Sequence, residues 1–380
     1  MKKTLLVAAL SGAFAVSAHA QSSVTLYGLI DAGVVYANNA GGHSQWQQGS
    51  GALSTNVFGL QGSEDLGGGN RAIFKLESAF NINNGGYKYG NDIFGRQAYV
   101  GLQNSQYGTL TFGRQFDSMV DFVSPLSFTG AGDRNNLAAH PFDNDNLGAS
   151  FSTSNSVKYT SANLYGLQFG GQYSFSNQAG NFANNRAYSL GASYKNGPLS
   201  VGAGYMQING ADGNTSGALL SSDNDNAFAA QRQRVYGAGA NYTFGPAQVG
   251  FVYTHTQLDN IGSLNINGNS YAIGGANLHL DNYEVNGRYA LTPALSLAGA
   301  YTFTDGKYEG TLGNQSPKWQ QVSLQTDYAL SKRTDVYVEG VYQHANGGGD
   351  TPFANASINT LTPSSTDNQV AATVGLRHRF

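Results

Sequence analysis

The chain has 380 residues, a formal net charge of −3, no cysteine, 51 glycines and 23 tyrosines. Without cysteine it holds neither a disulfide framework nor a thiolate metal site, and its slightly acidic balance gives no reason to expect a nucleic-acid partner. A chain rich in glycine and aromatics but poor in long apolar runs is an unusual recipe for a soluble core.

The N-terminus reads as an export signal. Lys2 and Lys3 form a short positive region, residues 4–16 are small and apolar, and Ala18-His19-Ala20 supplies a small-x-small cleavage pattern. The apolar stretch is too short to span a bilayer well, and nothing later approaches the ~18 consecutive apolar residues of a transmembrane helix. A buried N-terminal helix is the competing reading, and it leaves the cleavage pattern unused. The expected organisation is a signal over 1–20 and one domain over 21–380.

From Val24 onward one pattern recurs. Val24, Leu26, Gly28, Ile30, Ala32, Val34 and Tyr36 share one face, against Thr25, Tyr27 and Asp31 on the other. Ala72, Phe74, Leu76 and Phe80 oppose Arg71, Lys75 and Glu77; Leu167, Phe169 and Tyr173 oppose Gln168, Gln172 and Ser174. Tyr283, Val285 and Tyr289 oppose Asn282, Glu284, Asn286 and Arg288, and Val322, Leu324 and Tyr328 oppose Gln321, Ser323, Gln325 and Asp327. The chain ends the same way, with Val374, Leu376, His378 and Phe380 on one face. This is the period of a strand, in segments of about ten residues, the length of a tilted membrane-crossing strand.

Connections alternate in length. Short turns such as "EDLGGGN" (64–70), "KNGP" (195–198), "FGP" (244–246) and "LSKRTD" (330–335) alternate with long polar stretches at 207–231, 256–277 and 344–368. The apolar faces carry no Asp, Glu, Lys or Arg, and a basic residue there would cost about 2–4 kcal/mol at mid-bilayer. Tyr36, Phe80, Tyr205 and Tyr253 at the long-loop ends, and Tyr194, Phe244, Tyr289 and Tyr328 at the short-turn ends, form two aromatic girdles. The expected fold is therefore all-β: a transmembrane antiparallel β-barrel of sixteen strands, with weak patterning near 54–62 and 155–161. A soluble β-sandwich is the alternative, but it gives no reason for loops of two lengths. Closure requires the last strand to pair with the first, near Val24.

Several stretches make the whole chain after the signal resemble the trimeric Gram-negative general porins of the beta-proteobacterial type. They are "SSVTLYGLIDAGV" (22–34), "GSEDLGGGNRAIFKLESAF" (62–80), "FGRQAYVGL" (94–102), "YGTLTFGRQF" (107–116), "NSVKY" (155–159), "YALSKRTDVYVEG" (328–340) and "GLRHRF" (375–380). The resemblance implies a homotrimer among outer-membrane lipids, and a water-filled channel for ions and small hydrophilic solutes, without cofactor. It further implies a third loop folded inward over residues 116–154, and a role for Phe380 as the signal read by the barrel-assembly machinery. In such proteins acidic loop groups face basic wall groups across the aperture. The loop carries Asp117, Asp121, Asp133, Arg134, Asp143 and Asp145; the wall candidates are Lys75, Arg96, Arg114 and Lys158. Arg114 shares the parity of Leu110 and Phe112, so a place above the lipid or at a subunit contact is its alternative. Val57 and Gln61 stand where relatives often carry basic residues, as does "FSTS" (151–154). This departure implies weak selectivity rather than strong anion preference.

Other motifs fail as chemistry. "EDLGGG" has neither a following helix nor a Lys-Ser/Thr element, so a tight turn replaces a phosphate cradle. Asp143-Asn-Asp145 and Asp223-Asn-Asp225 begin like calcium loops but lack the closing Glu, which leaves at most weak divalent binding. His140, His255, His279 and His344 show no metal spacing, and no serine sits in a nucleophile elbow. An outer-membrane enzyme or a surface adhesin are the competing functions.

Overall fold

The computed structural model describes residues 23–90, 92–131, 136–210, 216–220, 226–266 and 269–380. The export signal, Asp133, Arg134 and the 223–225 triplet lie outside them. The strands are β1 (Ser23–Ala40), β2 (His43–Ser50), β3 (Val57–Gly67), β4 (Asn70–Ala79), β5 (Gln97–Asn104), β6 (Gly108–Gln115), β7 (Thr153–Thr160), β8 (Leu167–Ser174) and β9 (Arg186–Asn196). They continue as β10 (Leu199–Asn209), β11 (Phe228–Phe244), β12 (Ala247–Ile266), β13 (Asn269–Ala290), β14 (Leu295–Glu309), β15 (Lys318–Ala329), β16 (Thr334–Asn346) and β17 (Asn368–Arg379). All belong to one antiparallel sheet.

Seventeen strand segments make sixteen staves. β1 pairs with β3 from Ser23 to Leu29 and with β2 from Ala32 to Ala40, so β2 and β3 successively occupy one position. Between them residues 51–56 leave the wall and are buried. Asp31, itself buried, accepts hydrogen bonds from the Leu53 and Ser54 amides and from Tyr337, which pins this inward detour. The weak pattern near 54–62 has this cause: half of that stretch does not face lipid.

The barrel closes through β1 and β17, in register from Leu29↔Arg379 to Ala37↔Ala371. Phe380 continues the ladder by exchanging amide–carbonyl bonds of 3.0 and 3.1 Å with Gly28. The terminal residue thus meets Gly28, and Val24 instead pairs with Gly62 of β3. Glycine is required at 28: a Cβ there would run into the Phe380 ring and lie 2.7 Å from the Val57 carbonyl oxygen.

Outward positions are apolar, as the alternation predicts: Leu26, Val100, Leu190, Val285, Leu324, Val338 and Val374 are all exposed on the outer face. Arg114 keeps the parity of Leu110 and Phe112, opposite Ala98, yet at the loop end of β6 it is buried and donates to the Gly95 carbonyl and, at 2.8 Å, to Ser154 Oγ. The stretch 256–277, expected as a long connection, is mostly strand instead. β12 and β13 run 20 and 22 residues and stay paired over most of it. The two faces exchange character there. Inside, Leu258, Leu264, Leu278 and Leu280 pack with Phe228, Trp319 and Phe353, whereas outside stand Gln257, Asp259, His279 and Asn277. A rule that expects apolar residues outside cannot see strands that rise above the lipid.

Deleting Phe380 should weaken closure even without assembly machinery, because two ladder hydrogen bonds, each worth about 0.5–1.5 kcal/mol net, and the ring over Gly28 are lost. Urea titration of barrel refolded into detergent, followed by heat-modifiable gel mobility, should show a lowered midpoint. Phe380→Ala, which keeps the backbone bonds, should fall between the deletion and wild type. An unchanged midpoint for the deletion would contradict this account of closure.

Candidate pore constriction

The segment between β6 and β7 folds into the barrel. It begins with a five-residue helix, α1 (Ser118–Phe122), capped by Asp117, whose carboxylate accepts from the Met119 and Val120 amides. The wall makes room for it with glycine. A Cβ on Gly191 would lie 2.6 Å from the Phe122 ring, one on Gly204 2.9 Å from Met119 Sδ, and one on Gly202 would run into the Phe122 carbonyl oxygen. These glycines share the inward register of Ser189, which accepts from the Ser118 amide. Part of the chain's glycine excess is therefore legible as a flat bed for the loop.

Beyond α1 the loop is fastened to β11–β15 by buried polar contacts. Asn286 donates to the Leu126 carbonyl at 3.0 Å, the Phe128 amide donates to Glu284 at 2.8 Å, and Gln321 donates to the carbonyls of Ala138 and Ala139. Thr256 and Gln233 both donate to the Asn144 carbonyl. The loop also meets the detour at 51–56, through Asn136 and Leu137 amides on the Leu53 and Ala52 carbonyls. His140 is the centre of the clamp. Its Nδ1 lies 2.6 Å from Asp145 and its Nε2 3.1 Å from Glu284 of β13, all fully buried. Burial alone would depress the imidazolium, but the Asp145 carboxylate, with Glu284, outweighs it and pushes His140 up to about 10.

This fastening uses left-handed backbone at four non-glycine residues, Phe142, Asp143, Asn146 and Ala149, conformations that persist only where the surroundings hold them. Asp143 holds one turn by accepting from Gly148, and from the Ser150 amide and hydroxyl. Asn146 donates 2.7 Å to Asp117, tying the two ends of the loop together. Phe142 inserts edge-on between Phe228, Trp319 and Phe353, at 5.7–6.0 Å between centroids. Asp143 and Asp145 are therefore internal staples, not exposed ligands for a divalent ion. Among the described residues no group of three His, Cys, Asp or Glu side chains has metal-binding geometry.

The expected acidic loop facing a basic wall is only partly present. Asp117 is buried in its cap, and burial, with a smaller push from Asp121, raises its carboxyl to about 6. Asp121 does reach the lumen, but it forms a direct ion pair with Lys158 of β7, which also donates 2.9 Å to the Phe116 carbonyl. Lys75 and Arg96 converge on Glu77 of β4, at 3.2 and 2.9 Å. Tyr27 and Gln97 complete its shell, at 2.7 and 3.1 Å. Arg96 is almost fully buried, with its guanidinium 4.9 Å over the Phe116 ring. Glu77 is the shared acceptor that sequence reasoning passed over. Its signal was there: an acid on the inward face two places from Lys75. Val57 holds the inward register at the start of β3, opposite Ala79, with Gln61 opposite Lys75.

Around Asp121 and Lys158 lies a cavity of about 860 Å³ on the short-turn side, lined also by Arg71, Gln97, Tyr99 and Asp65. Asp121 borders a second cavity of about 510 Å³, lined by Lys195 and Arg288. A third of about 250 Å³ follows along Arg288 to Asp327, Asp335 and Arg377. The lumen is thus a polar passage in which Lys158 is paired with Asp121 and Arg377 with Asp327 and Asp335, while Arg71, Lys195 and Arg288 line it as further cations.

The profile of the Gram-negative porin family matches residues 5–348. The chain belongs to that family. The porin is 32% identical over 419 aligned residues to an outer membrane porin protein of Bordetella pertussis (strain Tohama I), with both chains covered in full. It is 28% identical to outer membrane porin protein 32 of Delftia acidovorans over 391 residues, again covering both. Among solved structures it is similar to the anion-selective porin from Comamonas acidovorans, with a TM-score of 0.71 at 23% identity, covering 95% of this porin and 100% of that chain. It is an outer-membrane channel protein.

Breaking the clamp should free the loop. His140→Ala leaves two buried carboxylates without their cation, a loss of roughly 3–5 kcal/mol for one member of a buried pair, and should raise open-channel current noise. Adding Glu284→Gln should restore part of the quiet. In the wild type the imidazolium is raised above its ordinary value near ~6.5. Its contribution is then complete below that pH and lost progressively as pH rises towards about 10. Noise should climb over the same window; a pH-independent trace would refute the clamp.

Proposed function

We propose that the porin is a weakly ion-selective diffusion channel for ions and small hydrophilic solutes, whose selectivity residues are Lys75, Glu77, Asp121 and Lys158. The observation that carries this reading is that each lumenal cation among these four touches an anion. Lys75 is paired with Glu77 and Lys158 with Asp121. A charge that is paired at contact projects little field across an aperture, and screening over ~8 Å at physiological salt reduces it further. Arg96 and Arg114, both buried, set local structure rather than facing passing ions. The Comamonas relative is named an anion-selective porin, which supports a small preference of the same sign here. Membership of a channel family supports a non-catalytic role. A purified protein that never opens channels in a planar bilayer would sink this reading in favour of an enzyme or adhesin.

The same reading takes residues 1–20 as a cleaved export signal, residues 21–380 as one barrel domain, and Phe380 as the element that the assembly machinery recognises. It takes the working form as a homotrimer, which the solved trimer form of OmpT from Vibrio cholerae, similar at a TM-score of 0.63, supports. Native mass spectrometry checks the trimer directly.

Reversal potentials across a tenfold KCl gradient test the charge assignment. The wild type should show a small anion preference. Asp121→Asn frees Lys158 and should move the potential towards chloride by several millivolts, and Val57→Arg should move it the same way. A strongly selective wild type, or an Asp121→Asn channel with no shift, would show that these groups do not set ion preference.

A further inference from the structure

The outer face of β9–β12 carries a cluster that the channel does not use. Ser189, Gln233 and Thr254 point inward to the loop, so by strand alternation Arg186, Arg232 and Arg234 point outward. Three cross-strand rows order this face. Leu190, Tyr205, Tyr236 and His255 form the lowest, and Tyr188, Gln207, Arg234 and Gln257 the next. Arg186, Asn209, Arg232 and Asp259 form the highest, nearest the long loops. The lowest row continues the upper aromatic girdle, which marks the membrane–water interface. The arginines therefore begin one row above the lipid tails, where headgroups lie.

Their charge is only partly cancelled. Arg232 pairs with Asp259. Arg234 has long contacts, 3.4 Å each, to Gln207 and Gln257, and it also interacts with the Tyr205 hydroxyl. Arg186 contacts the Phe182 and Tyr188 rings at 5.9 Å. The Nε atoms of Arg186 and Arg232 are buried without a hydrogen-bond partner among the described residues. By strand spacing, Arg186 and Arg232, which flank Asn209, stand about 10 Å apart across the sheet. Unpaired guanidinium donors suit phosphate oxygens, which accept two parallel N–H bonds. Basic residues at headgroup depth are where anionic lipid is recognised.

We propose that Arg186, Arg232 and Arg234 form a binding site for a phosphorylated lipid headgroup of the outer leaflet. The acyl chains would descend over Leu190 and the girdle tyrosines. A lipid, rather than free phosphate, is the occupant because the donors stand directly above an apolar, lipid-covered wall.

The test is native mass spectrometry of the delipidated, detergent-folded protein titrated with bisphosphorylated lipid A or with its dephosphorylated form. Wild type should retain the phosphorylated lipid at least tenfold more tightly than the dephosphorylated one, and millimolar inorganic phosphate should not displace it. The Arg186→Gln/Arg232→Gln/Arg234→Gln variant, checked for folding by heat-modifiable mobility, should bind the phosphorylated lipid at least tenfold more weakly than wild type; Lys307→Gln, outside the cluster, should not. Equal retention of both lipids by wild type would overturn the proposal without any variant. So would displacement by phosphate, or a triple variant that falls apart into protomers with lipid retention unchanged, which would make the cluster a subunit contact.

Discussion

Every strand of this protein that crosses the membrane must satisfy its backbone within the sheet, because hydrocarbon offers no hydrogen-bond partner. The ladder between β1 and β17, finished by Phe380 on Gly28, removes the last free edges. The other features follow from it. A closed wall exposes alternate side chains to lipid, which fixes the apolar exterior. It also encloses a lumen whose inward polar groups meet either water or other protein.

The infolded loop is how one side of that lumen is filled. Its polar backbone is buried, so each turn needs a partner, and the wall supplies them: Glu284, Asn286, Thr256, Gln233 and Gln321. Burying His140 between two carboxylates is expensive unless all three are satisfied together, and this makes the docked position specific rather than merely favourable. Of the loop's described carboxylates, Asp117, Asp143 and Asp145 are engaged in holding the loop, leaving Asp121 to meet solutes. The aperture is shaped chiefly by side chains that no solute touches.

Much of the fold was legible because lipid enforces a strict two-residue period. The misreadings occur where that enforcement ends. Above the membrane β12 and β13 keep pairing while their apolar face turns inward, so periodicity alone mistook them for a connection. At 51–56 the chain leaves the wall, and at the loop end of β6 Arg114 keeps its outward parity but is covered by protein rather than lipid. In the site, Lys75, Arg96 and Lys158 lie on the inner side of the wall. Their partners were harder to foresee, since neither Glu77 as a shared acceptor nor the burial of Asp117 follows from spacing. The bed for α1 left a faint trace in glycines of inward parity at 191, 202 and 204, which carries meaning only once the loop is known to lie there.

The central claim, that α1 presents Asp121 to the passage and its other side to the wall, is tested most directly by thiol accessibility, because the chain has no cysteine of its own. Asp121→Cys and Met119→Cys place a thiol on opposite sides of one short helix, and Met119 is fully buried against Gly204 of β10. With a charged methanethiosulfonate reagent added to open channels, Asp121→Cys should react promptly and change the single-channel conductance, while Met119→Cys should stay unmodified. Comparable reaction at both positions would mean that the loop stands free in the lumen, and the account would be wrong.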